Sequence, residues 1–206
     1  MAGLNYLTLA DWRREVAALY GRIRVADEPL GAWEDFRIVR DMLFARHEQS
    51  PLHARQQASF TGLSYYPYEA RLRVLGKVVA EVKQEAFVLE LPVEGSFRFT
   101  RFARVHFSIE DRPAVLALYW VDGYGGGLFL PFRDASNGRG SYGGGRYLYD
   151  GIKGADLGAG KEQILLDFNF AYNPSCAYND RWVCPLALPE NWMEMELIAG
   201  EKAFCS

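Results

Sequence analysis

Apolar residues recur at helical spacing in two segments near the N-terminus. They are Trp12, Val16, Leu19 and Tyr20 in the first segment and Phe36, Val39, Leu43 and Phe44 in the second. Positions three and four apart share one face of a helix, so each segment predicts an amphipathic helix, the first beginning at Thr8 or Asp11. A break at 27–31 separates the segments, and Pro51 should stop the second helix because a proline disfavours helix at the residue before it. We therefore expect a helical hairpin.

Strand-like patterns replace the helical pattern from about residue 60. The alternating, β-branched or aromatic segments are 71–75, 86–90, 97–109, 114–121, 128–132, 164–172 and 192–198. Gly and Pro residues punctuate the gaps between them, which favours a mostly antiparallel sandwich or barrel. The sequence predicts an α+β fold, in which a helical hairpin packs on a mainly antiparallel β-barrel or strongly curved sheet. The helical extension should span 1–55 and the β-rich domain 56–206.

A glycine-rich stretch interrupts the strand pattern between residues 133 and 163. Nine of the 20 glycines of the chain fall between Gly138 and Gly160. Structureless loops longer than about 15 residues are uncommon in compact domains. We expect this stretch to be an ordered or functional loop.

Arg146 follows three consecutive glycines inside this stretch. Glycine lets the backbone approach a ligand closely, and a guanidinium can bind a carboxylate or phosphate through two hydrogen bonds. The stretch lacks the Gly-Lys-Ser/Thr ending of a P-loop and the strand–glycine–helix order of a dinucleotide fold. Two interpretations stay open: the loop binds an anionic ligand, or it is a wide hairpin in which Arg146 makes a structural ion pair.

Asp167 and Asn169 lie in an otherwise apolar strand-like segment. On a strand they would share one face, where a carboxylate and an amide are costly unless they are paired or line a polar cavity. We expect them to form a connected polar network with Asp134 and Arg146 at the mouth of the barrel. That network would either line a pocket or only pin the glycine-rich loop to the sheet.

Three cysteines, Cys176, Cys184 and Cys205, lie in the last fifth of the chain. An odd number of cysteines, all near the C-terminus, does not fit the disulfide framework of a small secreted protein. Cys176 and Cys184 could form a redox pair or supply two metal ligands, but the CxxC and HxxxH spacings of zinc sites are missing. We expect buried, unreactive thiols and no metal site.

Composition and charge exclude several functional classes. The 206 residues carry a formal net charge of −3, which argues against an electrostatic grip on nucleic acid. Arginines alternate with aromatics over 97–107, yet the pattern is better explained by a half-buried strand with a basic outer face. Apolar runs are shorter than the roughly 20 residues of a membrane-spanning helix, and the N-terminus is too polar for a signal peptide. We expect a cytoplasmic protein with neither nucleic-acid nor membrane partners.

Several long motifs occur in a fixed order: PFRDASNGRGSYGGGRYL, LDFNFAYNPSCAY, CPLALPEN and AGEK, preceded by DFRIVRDMLFARHEQSPL and FTGLSYYPYEARLRV. With these motifs the chain resembles the family known as domain of unknown function 1684, over about residues 33 to 202. The resemblance implies a mostly β protein and no agreed reaction. The positions that carry its signature are Asp134, Gly138, Tyr142, Gly145, Arg146, Tyr147, Asp167, Asn169, Tyr172, Asn173, Cys176, Tyr178, Cys184, Pro185, Glu190, Asn191, Glu201 and Lys202. Ser141 stands where the family pattern suggests Thr, and the hydroxyl is kept.

The leading hypothesis is a domain that binds a small anionic molecule in a polar pocket, with Arg146 and Lys202 on the anionic group. The candidate ligand-binding residues are Asp134, Tyr142, Arg146, Tyr147, Asp167, Asn169, Tyr172, Asn173, Cys176, Tyr178, Cys184, Glu190, Asn191, Glu201 and Lys202. One alternative is a hydrolase in which Asp134, Asp167 or Glu190 acts as the general base. Another is a structural or interaction protein whose polar motifs only stabilise loops. The cofactor stays unknown, a flavin being one variant of the binding hypothesis, and so does the oligomeric state.

Overall fold

The computed structural model describes residues 5–91 and 95–205. It has the predicted α+β fold, with an N-terminal pair of helices and a strongly curled antiparallel sheet that forms a half-barrel. Residues 1–4 of the predicted helical extension, and residues 92–94 and 206 of the predicted β-rich domain, lie outside the described part. The division of the chain into these two units stays a prediction.

Three helices precede the sheet: α1 (Tyr6–Val25), α2 (Pro29–Arg46) and the short α3 (Ala54–Ala58). The predicted start of the first helix is wrong, because Asn5 rather than Thr8 or Asp11 is the N-cap, with its side chain accepting from two backbone N–H groups. Helix α2 begins earlier than predicted, at Pro29, whose fixed φ suits the first helical turn. None of the described helices has the length and apolarity that crossing a bilayer requires.

Seven strands form the sheet, in the spatial order β6-β5-β4-β3-β1-β7, with β2 paired to β3. Their bounds are β1 (Arg73–Val79), β2 (Glu85–Leu91), β3 (Gly95–Ile109), β4 (Arg112–Val121), β5 (Gly127–Phe132), β6 (Arg146–Asp150) and β7 (Gln163–Asp167). Single 3₁₀ turns lie at Ala70–Leu72, Gly151–Lys153, Phe168–Phe170, Ser175–Ala177 and Pro189–Asn191. All the strand pairs are antiparallel, as the sequence predicts.

Strand β3 is long and pairs along one edge with two strands, β2 and β1. Its first half pairs with β2, for example Phe99 with Phe87, and its second half pairs with β1, for example Val105 with Val78. The pairing of β3 with β4 shifts register between Arg101 and Ala103. An extra residue in one strand bends it and increases its twist. The bulge therefore lies where β3 changes partner and curls the sheet.

Two strand predictions and one loop prediction need correction. The predicted strand 192–198 is irregular chain, and the segment 164–172 stops being a strand at Asp167, where a 3₁₀ turn follows. Within the predicted loop 133–163, residues 146–150 form β6. All five residues of β6 are buried, so the strand shows no alternation of polar and apolar residues by which it could be found.

The helical pair packs on the segment that follows β7. The Phe36 ring meets the Phe170 ring edge to face, with 5.1 Å between the centroids. The indole N–H of Trp33 donates to the carbonyl oxygen of Asn169 over 3.1 Å. Because Phe36 is fully buried, this contact joins α2 to the hydrophobic core of the sheet.

Candidate functional site

A cavity of about 270 Å³ lies between α1, one end of the half-barrel and the segment 175–185. Most of its lining is aromatic or aliphatic: Leu9, Trp12, Pro51, Phe97, Phe129, Tyr147, Ile152, Trp182, Val183 and Pro185. The polar lining residues are Arg13, Gln49, Asp150, Lys153, Ser175 and Cys184. An apolar cavity with a few convergent polar groups is the usual form of a small-molecule site.

A smaller inner chamber of about 60 Å³ adjoins this cavity. The two share five lining residues, which are Trp12, Pro51, Tyr147, Lys153 and Ser175. The chamber adds polar side chains from both helices and from the segment after β7: Tyr20, Arg40, Tyr172, Asn173 and Tyr178. The site thus has an apolar outer part and a polar inner part.

Two buried polar atoms on residues of the inner chamber lack a hydrogen-bond partner among the described residues. They are the hydroxyl of Tyr20 and the side-chain oxygen of Asn173. The Asn173 amide is oriented by its nitrogen, which donates to Glu201 Oε1 at 3.1 Å and to the carbonyl of Lys202 at 2.8 Å. Burial raises the pKa of Tyr20, so its hydroxyl keeps its proton and stays a donor. Tyr20 and Asn173, which line the chamber, therefore each keep one buried polar atom unpaired, a donor and an acceptor.

An ion pair between Arg40 and Glu201 lies beside the chamber. Arg40 Nη2 donates to Glu201 Oε2 at 2.8 Å, and Arg40 Nε donates to the hydroxyl of Tyr65 at 2.9 Å. Glu201 Oε1 also accepts from the Tyr178 hydroxyl at 2.6 Å. Burial raises the pKa of Glu201, and the charge of Arg40 opposes that shift. The pair is neutral overall, so the chamber does not carry a net charge from it.

Among the residues that the structure describes, the charged lining of the outer cavity consists of two cations and one carboxylate. Lys153 Nζ lies 3.5 Å from Asp150 Oδ2, and Arg13 of α1 completes the set. Asp150 is almost fully buried, whereas Lys153 is about half exposed. The outer cavity therefore has an excess of one positive charge in its lining.

Arg146 lies outside this cavity, in a sealed network. Its Nη2 donates to Asp134 Oδ2 at 2.7 Å and to the carbonyl of Leu197 at 3.2 Å, and its Nη1 donates to the carbonyl of Ala199. Both side chains of the ion pair are fully buried. Of the three guanidinium nitrogens of Arg146, Nε alone has no hydrogen-bond partner among the described residues. These contacts match the structural ion pair that the sequence left open as the alternative to ligand binding.

Two glycines allow the chain to come this close to Arg146. Gly145 and Gly200 have φ of +94° and +72°, which L side chains rarely adopt. A Cβ at Gly145 would lie 2.6 Å from the carbonyl oxygen of Phe132, and one at Gly200 would lie 2.7 Å from the carbonyl oxygen of Ala171. The glycines serve close packing of the backbone around the arginine.

Asp167 and Asn169 lie together, as predicted, but in a second cluster, where Asp167 Oδ2 lies 3.5 Å from Arg73 Nε and lacks a hydrogen-bond partner among the described residues. Asp167 Oδ1 accepts from the backbone N–H and the side-chain amide of Asn169, at 3.1 and 2.9 Å. Asn169 also exchanges two hydrogen bonds with the backbone of Glu69. Burial raises the pKa of Asp167 to about 6, although Asn169 and Arg73 oppose the shift. Hydrogen bonds of the described residues do not join this cluster to Arg146, so the single connected network that we predicted is wrong.

Glu190 and Asn191 hold the last 3₁₀ turn to the sheet. Glu190 Oε2 accepts from Arg101 Nη1 at 2.5 Å, and Glu190 Oε1 accepts from the Tyr119 hydroxyl at 2.8 Å. Asn191 is fully buried and pairs with both backbone groups of Ala117. Neither residue is part of the cavity lining.

Of the remaining candidates, Cys184 lines the outer cavity, whereas Tyr142, Cys176 and Lys202 are not part of the lining. Cys176 and Cys184 contact each other, and the Tyr142 hydroxyl lies 3.7 Å from Cys176 Sγ. The ammonium of Lys202 lies 4.9 Å from the centre of the Tyr66 ring. Lys202, which the sequence placed on the anionic group of a ligand, is not part of the cavity or chamber lining.

The family model described as "Protein of unknown function (DUF1684)" matches residues 58–202. The chain belongs to this family. It is also similar to the solution NMR structure of an uncharacterized protein from Haloarcula marismortui, with 34% sequence identity and a TM-score of 0.62. That similarity covers 86% of this chain and 97% of the other chain. None of the curated proteins matches the chain.

The family motifs supply only part of the site. Five of the fifteen candidates line the outer cavity or the inner chamber: Tyr147, Tyr172, Asn173, Tyr178 and Cys184. The lining residues that sequence reasoning missed include Trp12, Arg13, Tyr20, Arg40, Asp150 and Lys153. The four from the helices precede the part of the chain that matches the family model. Helix periodicity identified Trp12 and Tyr20 as apolar-face residues, but nothing in that pattern distinguishes a core position from a cavity wall.

Proposed function

We propose that the protein binds a small, mainly apolar organic molecule that carries an anionic group in the cavity beneath α1. The observation that carries the proposal is the pair of unpartnered buried atoms at the inner chamber, Tyr20 Oη and Asn173 Oδ1. A buried polar group without a partner costs about 1–3 kcal/mol. A bound group that accepts from one and donates to the other removes both costs.

The chemistry of the chamber favours a neutral polar group. A hydroxyl is both donor and acceptor, so it complements the Tyr20 hydroxyl and the Asn173 oxygen together. A carboxylate would repel the Asn173 oxygen, and the ion pair of Arg40 with Glu201 leaves no net charge to attract one. The inner end of the ligand is therefore a hydroxyl or a group of the same hydrogen-bonding type.

The outer cavity supplies the rest of the specificity. Its aromatic and aliphatic walls, for example Trp12 and Phe129, suit an apolar body. The anionic group belongs at the outer end, where Arg13 and Lys153 exceed Asp150 in charge. The proposed ligand is still anionic, as the sequence predicted. The residues proposed to bind its anionic group are now Arg13 and Lys153 instead of Arg146 and Lys202.

No observation favours the hydrolase alternative. The three carboxylates that it names, Asp134, Asp167 and Glu190, are absent from the lining of the cavity and the chamber among the described residues. The sealed contacts of Asp134 and Asp167 support the alternative in which these motifs stabilise loops. We propose binding without hydrolysis, and a cytoplasmic location, where free thiols such as those of Cys176 and Cys184 are usual.

A set of three probes tests the proposal. They are 4-hydroxyphenylacetate, phenylacetate, which lacks the hydroxyl, and 2-(4-hydroxyphenyl)ethanol, which lacks the charge. Thermal shift and NMR titration should rank 4-hydroxyphenylacetate first, because it alone offers both polar ends to the site. Failure of all three to give a saturable response at millimolar concentration would contradict the proposed ligand class.

Matched variants locate the binding. Tyr20→Phe should remove the advantage of the hydroxylated probe, by about tenfold in Kd for a loss near 1.4 kcal/mol. Lys153→Gln should weaken the two carboxylates and leave the alcohol unchanged, whereas Lys161→Gln, an exposed control outside the lining, should change nothing. Binding that is insensitive to Tyr20→Phe and Lys153→Gln would show that the probes bind elsewhere.

A further inference from the structure

Two of the three thiols of the chain lie side by side in the segment that covers the cavity. Cys176 is in the 3₁₀ turn Ser175–Ala177, and its backbone N–H donates to Cys184 Sγ over 3.3 Å. The two thiols also shift each other's pKa, that of Cys176 downward and that of Cys184 upward. Both residues are partly exposed, and Cys184 lines the outer cavity. The sequence pattern favoured buried, unreactive thiols; the structure instead shows an accessible pair in contact.

The surroundings of Cys176 favour its thiolate. A hydrogen bond from Cys184 lowers the pKa of the Cys176 thiol, and a hydrogen bond from Tyr142 acts in the same direction, while burial opposes both. The thiolate rather than the thiol is the reactive nucleophile of a cysteine. Burial and the neighbouring Cys176 raise the pKa of Cys184, so the pair consists of one activated and one protonated sulfur.

We propose that Cys176 and Cys184 form a redox-active dithiol that a hydroperoxide oxidises to an intramolecular disulfide. The Cys176 thiolate attacks one oxygen of the hydroperoxide and the O–O bond breaks, which gives a sulfenic acid on Cys176. With hydrogen peroxide the departing hydroxide takes up a proton and leaves as water. Cys184 then attacks the sulfenic sulfur, the S–S bond forms, and the proton of the Cys184 thiol leaves with the hydroxyl as a second water. Two thiols and one hydrogen peroxide thus give one disulfide and two waters.

This order of events follows from the geometry. The Tyr142 hydroxyl lies beside Cys176 Sγ and can donate to its thiolate. Cys184 Sγ accepts from the backbone N–H of Cys176, which holds it beside Cys176 to resolve the sulfenic acid. Transient disulfides of this kind are the form in which cytosolic proteins use oxidised cysteine pairs. The proposal does not depend on the small-molecule binding proposed above, because it concerns the two sulfurs and a peroxide only.

Tryptic mapping tests the proposal on the unmodified chain. Arg181 lies between the two cysteines, so trypsin separates Cys176 in peptide 162–181 from Cys184 in peptide 182–202, and Cys205 falls in peptide 203–206. After treatment with hydrogen peroxide and blocking of free thiols, we expect peptides 162–181 and 182–202 to appear as one linked species. Its mass should be the sum of the two peptides less two hydrogen atoms, and dithiothreitol should separate them.

The third cysteine provides the control. Cys205 is exposed and lies apart from the pair, so Cys205→Ser should form the same linked species at the same rate, and Cys176→Ser and Cys184→Ser should not form it. Tyr142→Phe should slow the reaction, since it removes a donor to Cys176. A wild-type chain in which Cys205 is oxidised by peroxide while 162–181 and 182–202 stay unlinked would overturn the proposal. Linkage through Cys205 alone would overturn it equally.

Discussion

The Arg146 network and the inner chamber share the segment 197–202 but differ in how their polar atoms are paired. Arg146 holds the backbone of this segment through carbonyl oxygens, and its charge is matched by Asp134. At the chamber, the same segment contributes Glu201 to Arg40, yet the hydroxyl of Tyr20 and the oxygen of Asn173 stay without protein partners.

That difference separates structural from ligand-binding polar groups. Buried polar groups in folded proteins are nearly always hydrogen-bonded, so a closed set of partners indicates a structural role and an open set indicates a site for something else. The most conspicuous motif of the sequence, the glycines and Arg146, belongs to a set that is closed except at Arg146 Nε. The open set lies where helices α1 and α2 meet the segment after β7.

The largest expected effect is the loss of folding stability when Arg146, the centre of its hydrogen-bond network, is replaced. Arg146→Ala should destabilise the fold by about 3–5 kcal/mol, because it leaves the buried carboxylate of Asp134 without its partner. Arg139→Ala removes an exposed arginine of the same loop and should cost about 0.5 kcal/mol or less. Unfolding in urea measures both.

A second substitution sharpens the test of Arg146. Adding Asp134→Asn to Arg146→Ala removes the unpaired charge and should restore part of the lost stability. A loss below about 1 kcal/mol for Arg146→Ala alone would show that the arginine is not the structural centre that its contacts indicate.

The next effect is the change of folding stability with pH that the ionisation of Asp167 causes. Because burial raises its pKa to about 6 in the folded chain, the native state binds its proton more tightly than the unfolded state does. The stability that this group contributes is fully present below about pH 4 and is lost as the pH rises through about 6. At pH 8, Asp167→Asn should therefore be more stable than the wild type by about 2–3 kcal/mol, and the difference should vanish at pH 4.

Urea unfolding at both pH values measures this difference. Asp180→Asn is the matched control, because the Asp180 side chain is exposed and its neutralisation should leave the pH profile unchanged. Equal stabilities of Asp167→Asn and wild type at pH 8 would contradict the raised pKa.

The smallest expected effect is the difference in folding stability between variants of two buried tyrosines, Tyr149 and Tyr20. The Tyr149 hydroxyl lies 2.9 and 2.7 Å from the carbonyl oxygens of Gly158 and Leu165, between which its one proton is shared. Tyr149→Phe removes this buried hydrogen bond and should cost about 1–2 kcal/mol. Tyr20→Phe removes a hydroxyl without a protein partner and should leave the stability unchanged or raise it slightly. Thermal unfolding of the ligand-free chain measures both, and an equal loss in the two variants would show that the Tyr20 hydroxyl is paired.

Periodicity predicted the elements that have one buried and one exposed face. The helical hairpin and strands β2, β3, β4 and β5 were located within a few residues, because alternation at a period of 3.6 or 2 records which side meets the core. Strand β6 is buried on both sides, so the rule missed it. The segment 192–198 alternates like a strand but makes only a few backbone hydrogen bonds, to residues 133–135 and 189, so the rule overpredicted it.

The sequence by itself determined the α+β class, the antiparallel strands and the family, since these depend on local patterns and on motifs that can be read in order. Only the tertiary structure decided which polar residues are sealed and which are left unpaired, because hydrogen-bond partners lie far apart in the chain. Arg146 meets Asp134 twelve residues away, whereas Arg40 meets Glu201 at a separation of 161 residues. No local pattern records a contact of that length, and the candidate site consists mainly of such contacts.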